Sequence, residues 1–231
     1  GGGGGGGGRS GGDGIAGGGG GGGGGDSGGG KDFGGFLDPP PKIRNSPFEI
    51  STISSITKSE NFCKQFFNDI SPFISFDFFE KLELSASTNL NSGWIPEHLI
   101  LEEKNKIVGF IPNFRKLNSN GEYVFDHIFA NAYNHIGQKY YPKYLSAIPF
   151  TPVTKQRFIY GEKNMDKLLY QDLINFFKKK NVSSFHVNFL QKKSSEVLKK
   201  YGFTQRVGIQ YYWRNKSYTS FDCFLNNLKS K

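Results

Sequence analysis

The chain has 231 residues, 32 of them glycine, with two cysteines and a formal net charge of +9. Two cysteines make neither a disulfide framework nor a zinc-ligand spacing, so a disulfide-stapled scaffold is excluded and a reducing, intracellular and cytoplasmic compartment is expected. No apolar run approaches the roughly 18 residues of a membrane span, no basic start leads into an apolar run as in a secretory signal, and the basic balance admits an anionic partner without choosing one.

Residues 1–45 hold most of the glycines, in runs broken by Arg9, Asp13 and Asp26. Such a segment buries nothing and loses the most backbone entropy on ordering, so a disordered low-complexity tail is expected. Its glycines make no phosphate loop, because no strand precedes them and no helix follows. The folded part is expected over residues 46–231, enough for one domain with a real core.

Within it, Phe48 to Ser55 reads as a strand, followed by helices near Glu60–Asn68 and Phe76–Leu84. His98 to Arg115 reads as a hairpin around a polar turn at Lys104–Asn105. Met165 to Lys180 is helical in period, with Met165, Leu169, Leu173 and Phe176 on one side, and the cations at its end answer the helix dipole. Ser183 to Leu190 alternates as a strand, Phe185, Val187 and Phe189 facing one way and His186 and Asn188 the other. A short helix, Ser194–Tyr201, is followed by Gly202 and then by a strand over Arg206–Asn215. That strand sets Val207, Ile209, Tyr211 and Trp213 opposite Gly208, Gln210 and Tyr212. Ser220 is placed to cap a last helix that runs to Lys231 without a stop signal. With a first residue other than methionine, that predicts a fragment of a longer chain. The whole is a mixed α/β pattern.

The densest run of unusual residues is Gly121–Thr154. Phe125, Ile128, Phe129, Ala132 and Ile136 make one apolar face of a helix, and Gly137 follows as its stop. Asp126 stands where an N-cap stands, and Glu122 lies four residues earlier. The two are either a cap and a neighbour or a carboxylate pair for catalysis or substrate binding. Tyr140–Thr154 is a strand interrupted by Pro142, Pro149 and Pro152, which suits an edge strand, a bulge, a strand end or a cleft wall better than a central ladder. A rigid connector is the other reading of the same prolines.

The block GEYVFD, the alanine-bearing helix FANAY and the run YYPKYLSAIPFTPVT together resemble the FemAB-like peptidoglycan biosynthesis/recognition family of the GNAT N-acyltransferase superfamily. The likeness continues in SGWIPEHLILEE, SSFHVNF, GIQYYWRN and YTSFDCFLNNLKSK, covering roughly residues 48–231. The sequence departs from the family pattern at Asn118–Ser119, Lys155 and Tyr212, where histidine-serine, glycine and histidine are usual. The resemblance implies a GNAT-like fold, the first of two such halves, truncated at its C-terminus. It implies transfer of an acyl or aminoacyl group from acyl-CoA or aminoacyl-tRNA to a small-molecule or peptide amine, without a metal.

Such a transfer needs a base for the amine proton, donors for an oxyanion and a cleft that orients two substrates. Glu122 is the first candidate base, then Asp126 or His186; His186 reads equally as a hydrogen-bonded core histidine. Tyr141, Lys143, Thr151, Thr154, Asn188, Gln210, Trp213 and Asn215 are the expected substrate-lining residues. Glu122 is expected to face one cleft with His186 and Asn188, and the fragment alone is expected to be a poor enzyme. Two other classes fit the composition: a basic RNA- or tRNA-binding module, and an acyltransferase-like scaffold without catalysis.

Overall fold

The computed structural model describes residues 9–16, 48–59, 71–160 and 166–228. In chain order the elements are β1 (Arg9–Ala16), β2 (Phe48–Ile53), a 3-10 turn (Ile56–Ser59), α1 (Phe76–Leu84), β3 (Trp94–Pro96), β4 (His98–Glu103), β5 (Lys106–Ile111) and β6 (Phe114–Lys116). Then come α2 (His127–His135), β7 (Lys143–Ser146), β8 (Ile159–Tyr160), α3 (Asp166–Lys178), β9 (Phe185–Leu190), α4 (Lys192–Lys200), β10 (Gln205–Tyr211) and α5 (Phe221–Asn226). This is the mixed α/β chain that the pattern predicts. It divides into a larger unit, Asp13–Arg206, and a smaller one made of Gly1–Gly12 and Val207–Lys231. The expected helix near Glu60–Asn68 lies outside the described residues, as does Met165, while Leu173, expected on the same side of α3, is buried.

The first sheet of the larger unit is antiparallel, in the order β2-β4-β5-β8. The β4–β5 hairpin turns at Lys104 and Asn105, both with positive φ, as a two-residue turn matched to strand twist requires. Helix α1 begins at Ser75, whose Oγ accepts the Phe78 amide at 3.2 Å, and buries Phe76 and Phe79. Its last turn carries Glu83, which accepts the Ile56 amide and meets His98 Nε2 at 2.9 Å. His98 Nδ1 accepts the Asn113 amide, so the ring proton sits on Nε2 and donates to Glu83. One buried imidazole thus pins helix, hairpin and following strand together.

The second sheet runs β1-β9-β7-β6-β3 within the larger unit. β7 pairs antiparallel with β6 and parallel with β9, and α3 makes the crossover between the two parallel strands. Of the placements open to these prolines, the strand end is the one found and the edge is not: β7 is a central, fully buried strand. Its four residues fall between Pro142 and Pro149, so neither proline removes a ladder donor. The glycine-rich segment departs from expectation too, since Arg9–Ala16 is a strand and its second half lies antiparallel to β9. Glycine backbone carries the same donors and acceptors as any other, and the free side of β9 offers them partners. The rest of residues 1–45 lies outside the described residues.

Helix α2 forms where the period predicts, but it buries no residue. Phe125 and Ile128 are 80% and 81% exposed, and Phe129 is covered only in part, with the Arg206 guanidinium 4.7 Å from its ring centre. In the smaller unit, β10 ends at Tyr211, and Val207, Ile209, Tyr211 and Trp213 are exposed rather than facing a core. Ser220 caps α5 as expected, its Oγ accepting the Cys223 amide at 3.1 Å, while the helix stops at Asn226.

Between β6 and α2 the chain turns at Gly121, φ +75°, where a Cβ would stand 2.5 Å from Phe150 Cδ1. Gly137, after α2, has a similar φ of +70° but open space around it. Gly137→Ala is therefore expected to lower stability by about 1 kcal/mol, the left-handed backbone cost alone. Gly121→Ala is expected to lower it by about 2–3 kcal/mol in urea unfolding, with Phe150→Ala in the same chain restoring the difference.

Candidate functional site

A group of buried charges lies against β7, in the loop that joins β6 to α2. Lys143, the first residue of β7, points its ammonium at Glu122 Oε2 (2.9 Å), Asp126 Oδ2 (2.5 Å) and Ser119 Oγ (2.9 Å). Both carboxylates and the lysine are buried. A lysine in a central strand has to find anions, because an unpaired buried ammonium costs several kcal/mol. The loop supplies two. Lys116, at the end of β6, completes the group: its Nζ is 4.0 Å from Glu122 Oε1, donates to the Asn120 carbonyl at 3.2 Å, and lies 3.7 Å over the Trp94 ring.

The two carboxylates differ in electrostatics. Burial pushes Glu122 up, and the neighbouring Lys143 and Lys116 only partly offset it. Burial also pushes Asp126 up, but the charge and hydrogen bond of Lys143 outweigh it and hold the group at about 2. Tyr140 adds a hydrogen bond to Asp126 Oδ2 at 2.7 Å. Asp126 does occupy the N-cap position of α2, yet its side chain makes no cap bond. The cap reading is thus corrected: the carboxylate is turned to Lys143 and Tyr140, where an ammonium offers more than a backbone amide. Burial drives Lys116 down to about 7, against the pull of Glu122.

His186 and Asn188, on β9, are both buried. His186 Nε2 meets Ser184 Oγ at 2.8 Å, and the ring lies edge-on to Tyr140 at 6.1 Å. Burial, with repulsion from Lys143, keeps the imidazole well below its ordinary pKa and neutral. Tyr140 therefore stands between the imidazole and Asp126. Three polar atoms of the site have no hydrogen-bond partner among the described residues: Glu122 Oε1, Asp126 Oδ1 and Asn188 Nδ2. Buried orphans of this kind are uncommon and mark places where a ligand or water completes the set.

The rest of the predicted lining is divided. Tyr141 is partly exposed, its hydroxyl 2.7 Å from Ser119 Oγ. Thr151 and Thr154 lie on the loop after β7, Thr151 Oγ1 donating to the Pro149 carbonyl and Thr154 Oγ1 lacking a partner among the described residues. Gln210, Trp213 and Asn215 belong to the smaller unit. There Trp213 stacks on Tyr218 and Asn215 Oδ1 accepts the Tyr218 amide, so both stiffen a turn.

Sequence reasoning missed Lys116, Ser119, Tyr140 and Arg157. Lys116 was legible, since alternation along β6 puts it on the same face as Phe114, and both are buried. Arg157 gave no such signal. Its guanidinium donates to the Val153 and Lys155 carbonyls at 2.6 and 3.0 Å, and burial lowers it to about 9. It braces the loop of Thr151 and Thr154, and the Lys155 amide ties that loop to the Phe189 carbonyl on β9.

Residues 52–231 match the FemAB-like family, described as peptidoglycan biosynthesis/recognition. The chain belongs to the FemAB-like family. No curated protein matches the chain. The match takes in every residue of the charged site and the described part of the smaller unit after Val207. Among the described residues of this FemAB-like chain, no helix is long and apolar enough to cross a membrane.

Two outcomes follow from the buried charges. Lys143→Met leaves two carboxylates buried without their counter-ion, so stability is expected to fall by about 3–5 kcal/mol in denaturant unfolding at pH 7. The second concerns pH. Lys116 titrates near 7 in the folded chain against an ordinary 10.5. Between pH 7 and 9 the unfolded chain holds a proton there that the folded chain has released. Stability is therefore expected to rise with pH from about 7 toward 10.5 and to level off below 7, where both states hold the proton. Lys116→Met should flatten that slope in urea unfolding at pH 7, 8 and 9.

Proposed function

We propose that this FemAB-like chain is an N-acyltransferase of GNAT-like fold. It moves an acyl or aminoacyl group from an activated donor, acyl-CoA or aminoacyl-tRNA, to an amine of a small molecule or peptide. The observation that carries the reading is Glu122: a carboxyl raised by burial, fixed through Oε2 by Lys143, with Oε1 free of hydrogen bonds among the described residues. A carboxylate whose pKa is lifted toward neutrality is a better base than one held near 2, which favours Glu122 over Asp126. His186 is neutral, but its Nε2 is engaged with Ser184. The parallel β7–α3–β9 crossover supports the fold reading.

In this reading the amine nitrogen attacks the carbonyl carbon of the donor, and the π pair moves to oxygen. The proton leaving the nitrogen goes to Glu122 Oε1. The tetrahedral intermediate collapses, expelling the thiolate of CoA or the ribose oxygen of tRNA, and that group takes up the proton. Asp126 and Tyr140 keep Lys143 in place, and Lys143 keeps Glu122 in place. In this reading Tyr141, Thr151, Thr154 and Asn188 line the approach of the amine to the buried Glu122.

The test is a donor screen on the full chain, acetyl-CoA against alanyl-tRNA, with a lysine-bearing peptide as acceptor. Glu122→Gln is expected to lower turnover by roughly 10²–10⁴-fold with a small change in unfolding midpoint. Unchanged turnover in that variant removes Glu122 as the base. An RNA-binding reading would instead give steeply salt-dependent RNA binding without acyl transfer.

A further inference from the structure

We infer that Tyr141 donates the hydrogen bond that holds the carbonyl oxygen of the acyl donor, and that Ser119 connects it to the buried Lys143 ammonium. The inference rests on the acyl-transfer reading above and assigns roles that the carboxylates do not fill.

The adjacent tyrosines differ in what is left to them. Tyr140 is buried, and its hydroxyl is committed to Asp126. Tyr141 is partly exposed, and its hydroxyl meets only Ser119 Oγ among the described residues. Ser119 Oγ already accepts a hydrogen from Lys143 Nζ at 2.9 Å, and of the two acceptors open to its own hydrogen, the Asp126 carboxylate and the Tyr141 oxygen, the latter is held at 2.7 Å. In that arrangement the phenolic hydrogen has no acceptor among the described residues and is available to a ligand oxygen. Burial raises Tyr141 against the lowering pull of Ser119, which keeps the phenol protonated and a donor. Its ring is held edge-on to Tyr140 at 5.0 Å, so the hydroxyl is aimed by packing rather than left to rotate.

The chain from Lys143 to Ser119 to Tyr141 carries the influence of a buried cation outward across two hydrogen bonds. Each bond polarises the next, and low polarity around Lys143 strengthens the effect. As the amine adds, negative charge gathers on the donor's carbonyl oxygen. A fixed, polarised O–H there favours the transition state over the ground-state ester or thioester. No proton needs to leave Tyr141: when the intermediate collapses, the pair on oxygen returns to the carbonyl and the hydrogen bond relaxes.

The experiment measures steady-state kinetics of the full chain with acetyl-CoA or alanyl-tRNA as donor and a lysine-bearing peptide as acceptor, for wild type, Tyr141→Phe, Ser119→Ala and the double variant. Tyr141→Phe keeps the ring and its packing, so fold is expected to hold by circular dichroism and unfolding midpoint. The expected result is a roughly 10²–10³-fold loss of kcat in Tyr141→Phe with KM nearly unchanged, the loss typical of one oxyanion donor. Ser119→Ala should lose about tenfold, and the double variant no more than Tyr141→Phe alone, because the two act as one unit. Full kcat in Tyr141→Phe, or losses that multiply in the double variant, overturns the inference while leaving acyl transfer standing. A wild-type chain inert with both donors overturns acyl transfer and this inference together.

Discussion

A lysine placed inside a sheet is the constraint on which the site depends. Lys143 begins a strand with neighbours on both sides, and burial leaves its ammonium no water. Only anions brought by another segment satisfy it. The Ser119–Asp126 loop is that segment, and it comes with Glu122, Asp126 and the Ser119 hydroxyl. The same demand draws Asp126 away from the end of α2 and recruits Tyr140. Loop conformation, helix start and tyrosine orientation are all consequences of one charge.

The surrounding backbone shows what this arrangement asks of the chain. Tyr123, Phe150 and Phe189 all sit at positive φ without being glycine. Such residues persist where tertiary contacts over-determine them. Phe150 packs on Trp94, whose indole N–H donates to the Asn120 carbonyl and whose face receives Lys116. The Phe189 carbonyl accepts the Lys155 amide from the loop that Arg157 braces. Local strain and buried charge thus meet around β7, β9 and their loops, while the His98–Glu83 pair stabilises the other sheet by ordinary means.

What the sequence made legible were elements whose local signals agree with their surroundings. The hairpin at Lys104–Asn105, helix Phe76–Leu84 and strand Phe185–Leu190 combine period, cap or turn chemistry and burial in one direction. The reading faltered where a signal has two tertiary outcomes. Prolines at 142 and 149 mark where a ladder stops, but they do not say whether the strand between them is edge or centre. The apolar period of α2 is genuine, yet period cannot say whether the face is covered, and here Phe125 and Ile128 are not. For the site, Glu122, Asp126, Lys143 and Tyr141 stood out as residues that core packing does not need. Their mutual contacts were not legible, because they depend on loop geometry, and Ser119 carries no local mark at all.

Strand β7 has a further consequence for how the larger unit comes apart. Its consecutive residues serve three environments: Lys143 the charged site, Tyr144 one hydrophobic cluster, and Leu145 the other. Successive side chains of a strand point to opposite faces, so one short ladder is the partition wall between both cores. Neither core opens without exposing that wall, and the wall does not open without stranding the lysine. The protection of its amides against solvent exchange therefore belongs to the whole unit rather than to a local fraying. Charge pairing and core packing thus meet in the same four residues.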